Sequence, residues 1–94
     1  MVLLWEEKSL LDREAIFDFL YQFNPLAAEK TDDLIEAKVS MLLSNPLIGV
    51  KKEGIRGRCF IIPDVSLLVF YDVTGDMIRI MRVLHQKQKY PDMS

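Results

Sequence analysis

The sequence predicts an α+β fold: an N-terminal strand, an antiparallel helical hairpin and then a three-stranded antiparallel meander, forming one sheet with the helices on one face. The first half of the chain carries apolar residues at spacings of three and four, which is typical of amphipathic helices. The second half carries short apolar runs separated by turn residues, which is typical of strands. The chain has 94 residues, half of them hydrophobic, so residues 1–94 are expected to form a single domain with its own core.

The N-terminal part of the chain predicts one strand and a first helix. The apolar run Val2-Leu3-Leu4-Trp5 indicates a strand that is buried on both faces. A helix of about four turns follows, because apolar residues recur every three or four positions with charged residues between them. Its apolar positions are Leu11, Ala15, Ile16, Phe19, Leu20 and Phe23.

The dipeptide Asn24-Pro25 ends this helix and starts the next one. Asn is a favourable N-cap and Pro is favourable at the first helical position, so a second helix is predicted from here to Asn45-Pro46. Its apolar positions are Ala27, Ala28, Leu34, Ile35, Met41 and Leu42. Because almost no loop separates the two helices, they are predicted to fold back on each other as an antiparallel hairpin.

The remaining residues predict the three-stranded meander. Arg58–Ile62 reads as a strand that stops at Pro63-Asp64, and Ser66–Val73 as a central strand with a continuous apolar middle. Thr74-Gly75-Asp76 indicates a tight hairpin with a left-handed glycine, and the last strand is predicted from Met77 to about His85. Since the helices cover one face of this sheet, the other face is expected to lie open to solvent or to a partner.

The charges of the chain are unevenly distributed. Residues 1–50 hold four Lys or Arg against nine Asp or Glu, a net charge of −5, whereas residues 51–94 hold eight against five, a net charge of +3. The total of −2 therefore conceals an acidic half and a basic half. Either the basic half attracts an acidic partner or phosphate, or these charges are scattered over solvated faces.

Single occurrences of cysteine and histidine exclude several classes of protein. A lone Cys59 excludes a disulfide framework and indicates a reducing, cytoplasmic setting. One cysteine and one histidine cannot build a zinc site, and neither a phosphate-binding glycine loop nor a nucleophile elbow is present, so no metal and no cofactor are predicted. There is no signal peptide pattern and no apolar run that could span a membrane, so no membrane association is predicted.

The last predicted strand carries the most informative side chains. Cations on a strand are costly to bury without an anion or a partner, which makes Arg79, Arg82 and His85 candidates for a functional surface. Regular alternation predicts that His85 shares one face with Arg79, and that Arg82 lies on the other. The alternatives are structural: His85 could bond the backbone at the strand end, and Arg82 could pair with a helix carboxylate such as Glu36 or Asp12.

Over nearly its whole length the chain resembles the RelE/ParE superfamily, the toxins of type II toxin–antitoxin modules. The shared order and spacing of many short features carry the resemblance, since none of them is specific alone. They are Trp5, Asp12 and Ile16, Asn24-Pro25 with Ala27-Ala28, Asn45-Pro46 with Gly49, Gly54-Ile55-Arg56, Tyr71 with Val73, and Arg82-Val83-Leu84-His85.

The resemblance implies one of two mechanisms, and in both a cognate antitoxin silences the toxin and the pair represses its own operon. RelE-like toxins cleave mRNA in the ribosome, whereas ParE-like toxins block DNA gyrase and cleave nothing. The acidic pI of about 5.3 and the sequence Val-Leu-His followed by a basic tail favour the ParE-like branch. Operator DNA would be contacted only through the antitoxin. A third possibility is a non-toxic α+β module whose open sheet binds one protein.

The candidate site residues depend on the branch. In a RelE-like ribonuclease, His85 would be the general acid and base, and Arg58 and Arg79 would hold the phosphate. Whether the chain is an enzyme therefore stays open at this point. The residues predicted to bind the target or phosphate in either branch are Arg56, Arg58, Arg79, Arg82, His85, Lys87 and Lys89.

Overall fold

The computed structural model describes residues 1–87 and contains the predicted elements in the predicted order. Two helices lie between the first strand and the other three, and single 3-10 turns follow the second helix and the second strand. The elements are strand β1 (Val2–Trp5), helices α1 (Glu7–Tyr21) and α2 (Pro25–Ser40), and strands β2 (Arg58–Ile62), β3 (Leu67–Thr74) and β4 (Met77–His85). In this part of the chain, neither helix is long and apolar enough to cross a membrane.

The four strands form one sheet in the order β1-β4-β3-β2, which confirms the predicted α+β class. The meander β2-β3-β4 is antiparallel, and β1 adds parallel to β4, with Val2 opposite Met77 and Trp5 opposite Ile80. The prediction that β1 is buried on both faces is wrong. It is an edge strand, and within residues 1–87 nothing covers the face that carries Val2 and Leu4, so both side chains are exposed.

The start of α2 follows the predicted capping. The side chain of Asn24 accepts a hydrogen bond from the backbone N–H of Ala27 at 3.2 Å, and Pro25 is the first helical residue. The α-helix ends at Ser40 rather than at Asn45, because the chain tightens into a 3-10 turn at Met41–Leu43.

The main core lies between the sheet and the helices. Its fully or almost fully buried members are Ile35, Val39, Leu42, Ile62, Leu67, Val69, Tyr71, Ile78, Ile80 and Val83. Helix α1 contributes less than its apolar pattern predicts. Ile16 packs against this core, but Leu11, Phe19 and Phe23 are 55%, 62% and 74% exposed. Their predicted burial is wrong because α1 packs against α2 and β4, and no other element of the described part of the chain covers its remaining apolar face.

The opposite face of the sheet is not open at its centre, contrary to prediction. A second cluster of buried side chains lies there, and Ile55 from the segment between α2 and β2 packs against it. Its members are Cys59, Leu68, Phe70, Met81 and Leu84. The long connection from Leu43 to Arg58 therefore acts as a partial third layer, because a sheet face this apolar must be covered by something.

A β-bulge in β4 changes which side chains share a face. Phe70 pairs with Arg82 but its neighbour Tyr71 pairs with Ile80, so Met81 is an extra residue without its own partner. Beyond the bulge, Val83 lies with Ile78 and Ile80 in the main core, and Leu84 lies with Met81 in the second cluster. The regular alternation predicted for β4 is therefore wrong: His85 falls on the helix side of the sheet and Arg79 on the other side.

Candidate functional site

Arg82 is bound to the first helix. Its Nε and Nη2 atoms donate to the two carboxylate oxygens of Asp12 at 2.8 and 3.0 Å, and the backbone N–H of Val83 donates to the same carboxylate at 2.9 Å. The hydrogen bonds and the charge of Asp12 outweigh partial burial and raise the pKa of Arg82 above its ordinary value. Of the two roles considered for Arg82, the contacts show pairing with a helix carboxylate, and that carboxylate is Asp12 rather than Glu36.

Arg58 and Tyr71 hold the segment that follows α2. The Nη1 of Arg58 donates to the carbonyl of Gly49 at 2.9 Å. The buried hydroxyl of Tyr71 donates to the carbonyl of Pro46 at 2.9 Å and accepts from the N–H of Gly49 at 2.8 Å. Burial raises the pKa of Tyr71. Both side chains thus fix the position of this segment.

Arg56 and Arg79 lie on the sheet face away from the helices, on either side of Asp72. Their Nε atoms are 3.7 and 3.6 Å from its carboxylate oxygens, and Arg79 is also 3.9 Å from a carboxylate oxygen of Glu6. The Nη2 of Arg56 lies 3.0 Å from the sulfur of Met81. Both guanidinium groups are substantially exposed, so each remains accessible to an external anion while Asp72 holds it in place.

His85 lies at the end of β4 beside an apolar groove of about 610 Å³ between the helical hairpin and the end of the sheet. The groove is lined by Ala15, Ile16, Phe19, Leu20, Thr31, Val65, Leu67 and His85. The Nδ1 of His85 accepts a hydrogen bond from the backbone N–H of Lys87 at 3.1 Å. His85 thus combines a backbone bond at the strand end, the structural role considered for it, with a place on a surface that a partner can reach.

The three residues predicted for a ribonuclease site are not brought together. Arg79 and His85 point to opposite faces of the sheet, and six residues of strand, about 20 Å, separate them. Arg58 lies on β2 opposite Tyr71 of β3, and its guanidinium group is directed at the carbonyl of Gly49. Lys87 is exposed just beyond His85, and Lys89 lies outside the described residues.

Two surfaces were missed by the sequence analysis. One is the apolar groove, which the exposed residues of α1 extend. The other is a depression of about 410 Å³ beside β2, where Lys51 and Lys52 lie with Arg58. The excess of apolar residues on α1 was a signal for the first surface, but the second depends on how the 44–57 segment folds. Residues 1–87 contain no group of three His, Cys, Asp or Glu that could hold a metal ion.

A helical hairpin packed against a four-stranded sheet is consistent with the resemblance to the RelE/ParE toxins. Comparison with known proteins agrees. Residues 3–90 match the family described as "ParE toxin of type II toxin-antitoxin system, parDE". The chain therefore belongs to the ParE toxin family, as its sequence resemblance predicted.

A solved structure and the curated proteins give two further results. The chain is similar to a chain of the "Chromosomal ParDE TA system from P. aeruginosa", with a TM-score of 0.77 and 26% identity. The similarity covers 90% of this chain and 95% of that one. No curated protein matches significantly.

Proposed function

We propose that this ParE-family toxin inhibits growth by blocking DNA gyrase without cleaving a nucleic acid, and that a cognate antitoxin neutralises it. The observation that carries the non-enzymatic part is the separation of Arg58, Arg79 and His85. Metal-free RNA cleavage needs a base for the 2′-hydroxyl proton, a cation for the phosphorane and an acid for the leaving oxygen, all within hydrogen-bond reach of one phosphate. Residues on opposite faces of a sheet cannot meet that condition.

The apolar groove beside α1 is the proposed antitoxin site. Ile16, Leu20 and the exposed Phe19 form one wall, and Val65 and Leu67 form the other. An amphipathic helix with apolar anchors three, four and seven residues apart would place them in such a groove. The antitoxin segment is expected to cover the helical hairpin and the adjoining sheet and to bury about 1,600 Å² in total, the size of a standard specific interface. Operator DNA would then be reached through the antitoxin.

The target is tested with purified protein in two assays run side by side. One measures inhibition of DNA supercoiling by gyrase, and the other measures cleavage of mRNA on stalled ribosomes. We expect inhibited gyrase and intact mRNA. Cleavage at codon boundaries that is abolished by His85→Ala would instead establish the RelE-like mechanism, with His85 as acid and base. His85→Gln is the matched variant, because it keeps a polar side chain but does not titrate near neutral pH.

The toxin role itself is tested in bacteria. Induced expression is expected to arrest growth, and co-expression of a small protein encoded by an adjacent gene is expected to restore it. Normal growth with a high level of folded protein would favour the non-toxic interaction module. Since gyrase acts inside the cell, the cytoplasmic setting predicted from the lone Cys59 is part of this proposal.

A further inference from the structure

We propose that the segment 50–58, the basic loop, binds the sugar–phosphate backbone of duplex DNA. The inference rests on the proposed function, since gyrase acts on DNA and a toxin bound to it meets that DNA. The loop carries Lys51, Lys52, Arg56 and Arg58 against a single acid, Glu53. Lys51 and Lys52 are exposed and line the depression of about 410 Å³ together with Arg58.

Contacts at both ends and in the middle position the basic loop. Val50 and Cys59 exchange two backbone hydrogen bonds of 2.8 and 3.0 Å. Ile55 packs on the second apolar cluster. Gly57 has a φ of 80°, and a Cβ at this position would collide with the carbonyl oxygen of Tyr71, so only glycine fits. A loop that is already ordered presents its cations without a large entropy cost on binding.

The electrostatics of the depression favour an anion. The one carboxylate among its lining residues belongs to Asp72, and the Arg56 and Arg79 guanidinium groups lie 3.7 and 3.6 Å from it. Its negative charge is therefore largely compensated. Lys51, Lys52 and Arg58 bring three positive charges to the lining against that single carboxylate, a balance that favours an anion.

A phosphate backbone fits this surface better than an acidic protein segment does. Duplex DNA presents one charge about every 1.7 Å along its axis, so closely spaced cations each find a phosphate. An acidic protein segment would need apolar anchors as well as charges. Exposed Ile48 and Val50 lie at the start of the loop, so it is the dense positive charge of the loop that favours a phosphate backbone. None of the residues of the basic loop lines the apolar groove between α1, α2 and the end of β4.

The test measures binding of the full chain to a 20-base-pair duplex by fluorescence anisotropy across a range of salt concentrations. The key variant is Lys51→Glu/Lys52→Glu, and the control is Lys8→Glu/Lys30→Glu, which makes the same charge change on exposed helix positions. We expect the key variant to bind at least tenfold more weakly. Its log–log salt slope should fall by about 2, because each phosphate contact contributes about 0.9. Absence of binding by the wild type, or an equal loss in the control, would overturn the inference.

Gyrase assays with the same proteins separate this inference from the proposed function. Wild-type inhibition that is weakened only in Lys51→Glu/Lys52→Glu supports both. Inhibition unchanged in that variant would refute the DNA-contact role and leave the gyrase proposal standing. DNA binding that depends on the loop, without gyrase inhibition, would support the DNA contact and refute the gyrase proposal. Thermal unfolding of all variants is measured alongside, so that a loss of binding or inhibition can be separated from unfolding.

Discussion

The carboxylate of Asp12 binds the guanidinium group of Arg82 in a bidentate pair, 70 residues apart in sequence. The same carboxylate accepts a hydrogen bond from the backbone N–H of Val83. This N–H lies on the edge of β4 that faces β1, but β1 pairs with β4 only as far as Ile80. Asp12 therefore takes the place of a neighbouring strand where β1 ends. This contact fixes α1 against the sheet and thereby shapes the apolar groove.

Removing this pair should destabilise the fold. Asp12→Ala leaves a partly buried guanidinium group and one backbone N–H without their acceptor, and we expect a loss of about 2–3 kcal/mol in the free energy of unfolding. Chemical denaturation measures it. Glu36→Ala is the control, because Glu36 pairs with Arg13 at 3.2 Å but is 66% exposed, and its loss should cost less than about 1 kcal/mol. Equal losses in the two variants would contradict the buried-pair argument.

Gly49 is required because the ring of Tyr71 occupies the space of a side chain. A Cβ at Gly49 would lie 2.6 Å from the Tyr71 hydroxyl oxygen, so Gly49→Ala should displace the ring or the segment and destabilise the protein by about 2 kcal/mol or more. The comparison is Gly54→Ala. A Cβ at Gly54 would have no atom within 4 Å, but φ there is 79°, so this variant should lose only about 1 kcal/mol of stability to backbone strain. A lower melting temperature for Gly49→Ala than for Gly54→Ala would agree with the close approach of Gly49 to the Tyr71 ring.

Cys59 should be unreactive in the folded protein. Its side chain is buried in the second apolar cluster, and burial raises the pKa of the thiol, which lowers the fraction of reactive thiolate. Modification by a thiol reagent should therefore be slow under native conditions and fast in denaturant. Rapid native labelling would mean that the connection carrying Ile55 does not cover this face of the sheet.

Phe19 should matter for antitoxin binding and little for folding. It lines the groove but is 62% exposed, so Phe19→Lys should leave thermal stability nearly unchanged and weaken antitoxin binding by about 2 kcal/mol or more if it is an anchor. Val50→Lys is the control, because Val50 is equally exposed but lies beside β2. Calorimetric titration of both variants with the antitoxin separates a groove contact from a general loss of surface hydrophobicity.

The C-terminal tail is predicted to contribute to the target contact. Lys89, one of the predicted target-binding residues, lies beyond residue 87. A truncation that starts at Gln88 tests its role and keeps the hydrogen bond that the backbone N–H of Gln86 donates to the carbonyl of Ser66. We expect the truncated chain to inhibit gyrase less, and circular dichroism checks that it remains folded. Full inhibition by the truncated chain would remove Lys89 from the proposed target surface.

The candidate site was predicted less well than the fold. The alternation rule located Arg79 and His85 on one face, and the bulge at Met81 separated them. A bulge depends on how two strands pair, so it cannot be predicted from the residues of either strand alone. Arg82 could be assigned a carboxylate partner, but choosing between Asp12 and Glu36 required knowing which helix lies along the edge of β4.

The sequence by itself determined the local structure: the cap of Asn24 on α2, the hairpin at Gly75, the order of the elements and the resemblance to the RelE/ParE toxins. These depend on residues close together in the chain, whose backbone preferences and hydrogen bonds are nearly independent of the rest. Only the tertiary structure decided that β1 pairs with β4, that the segment carrying Ile55 covers the second face, and that part of α1 stays exposed. Each of these outcomes depends on which distant segments cover which apolar surfaces, and that is decided only when the chain folds.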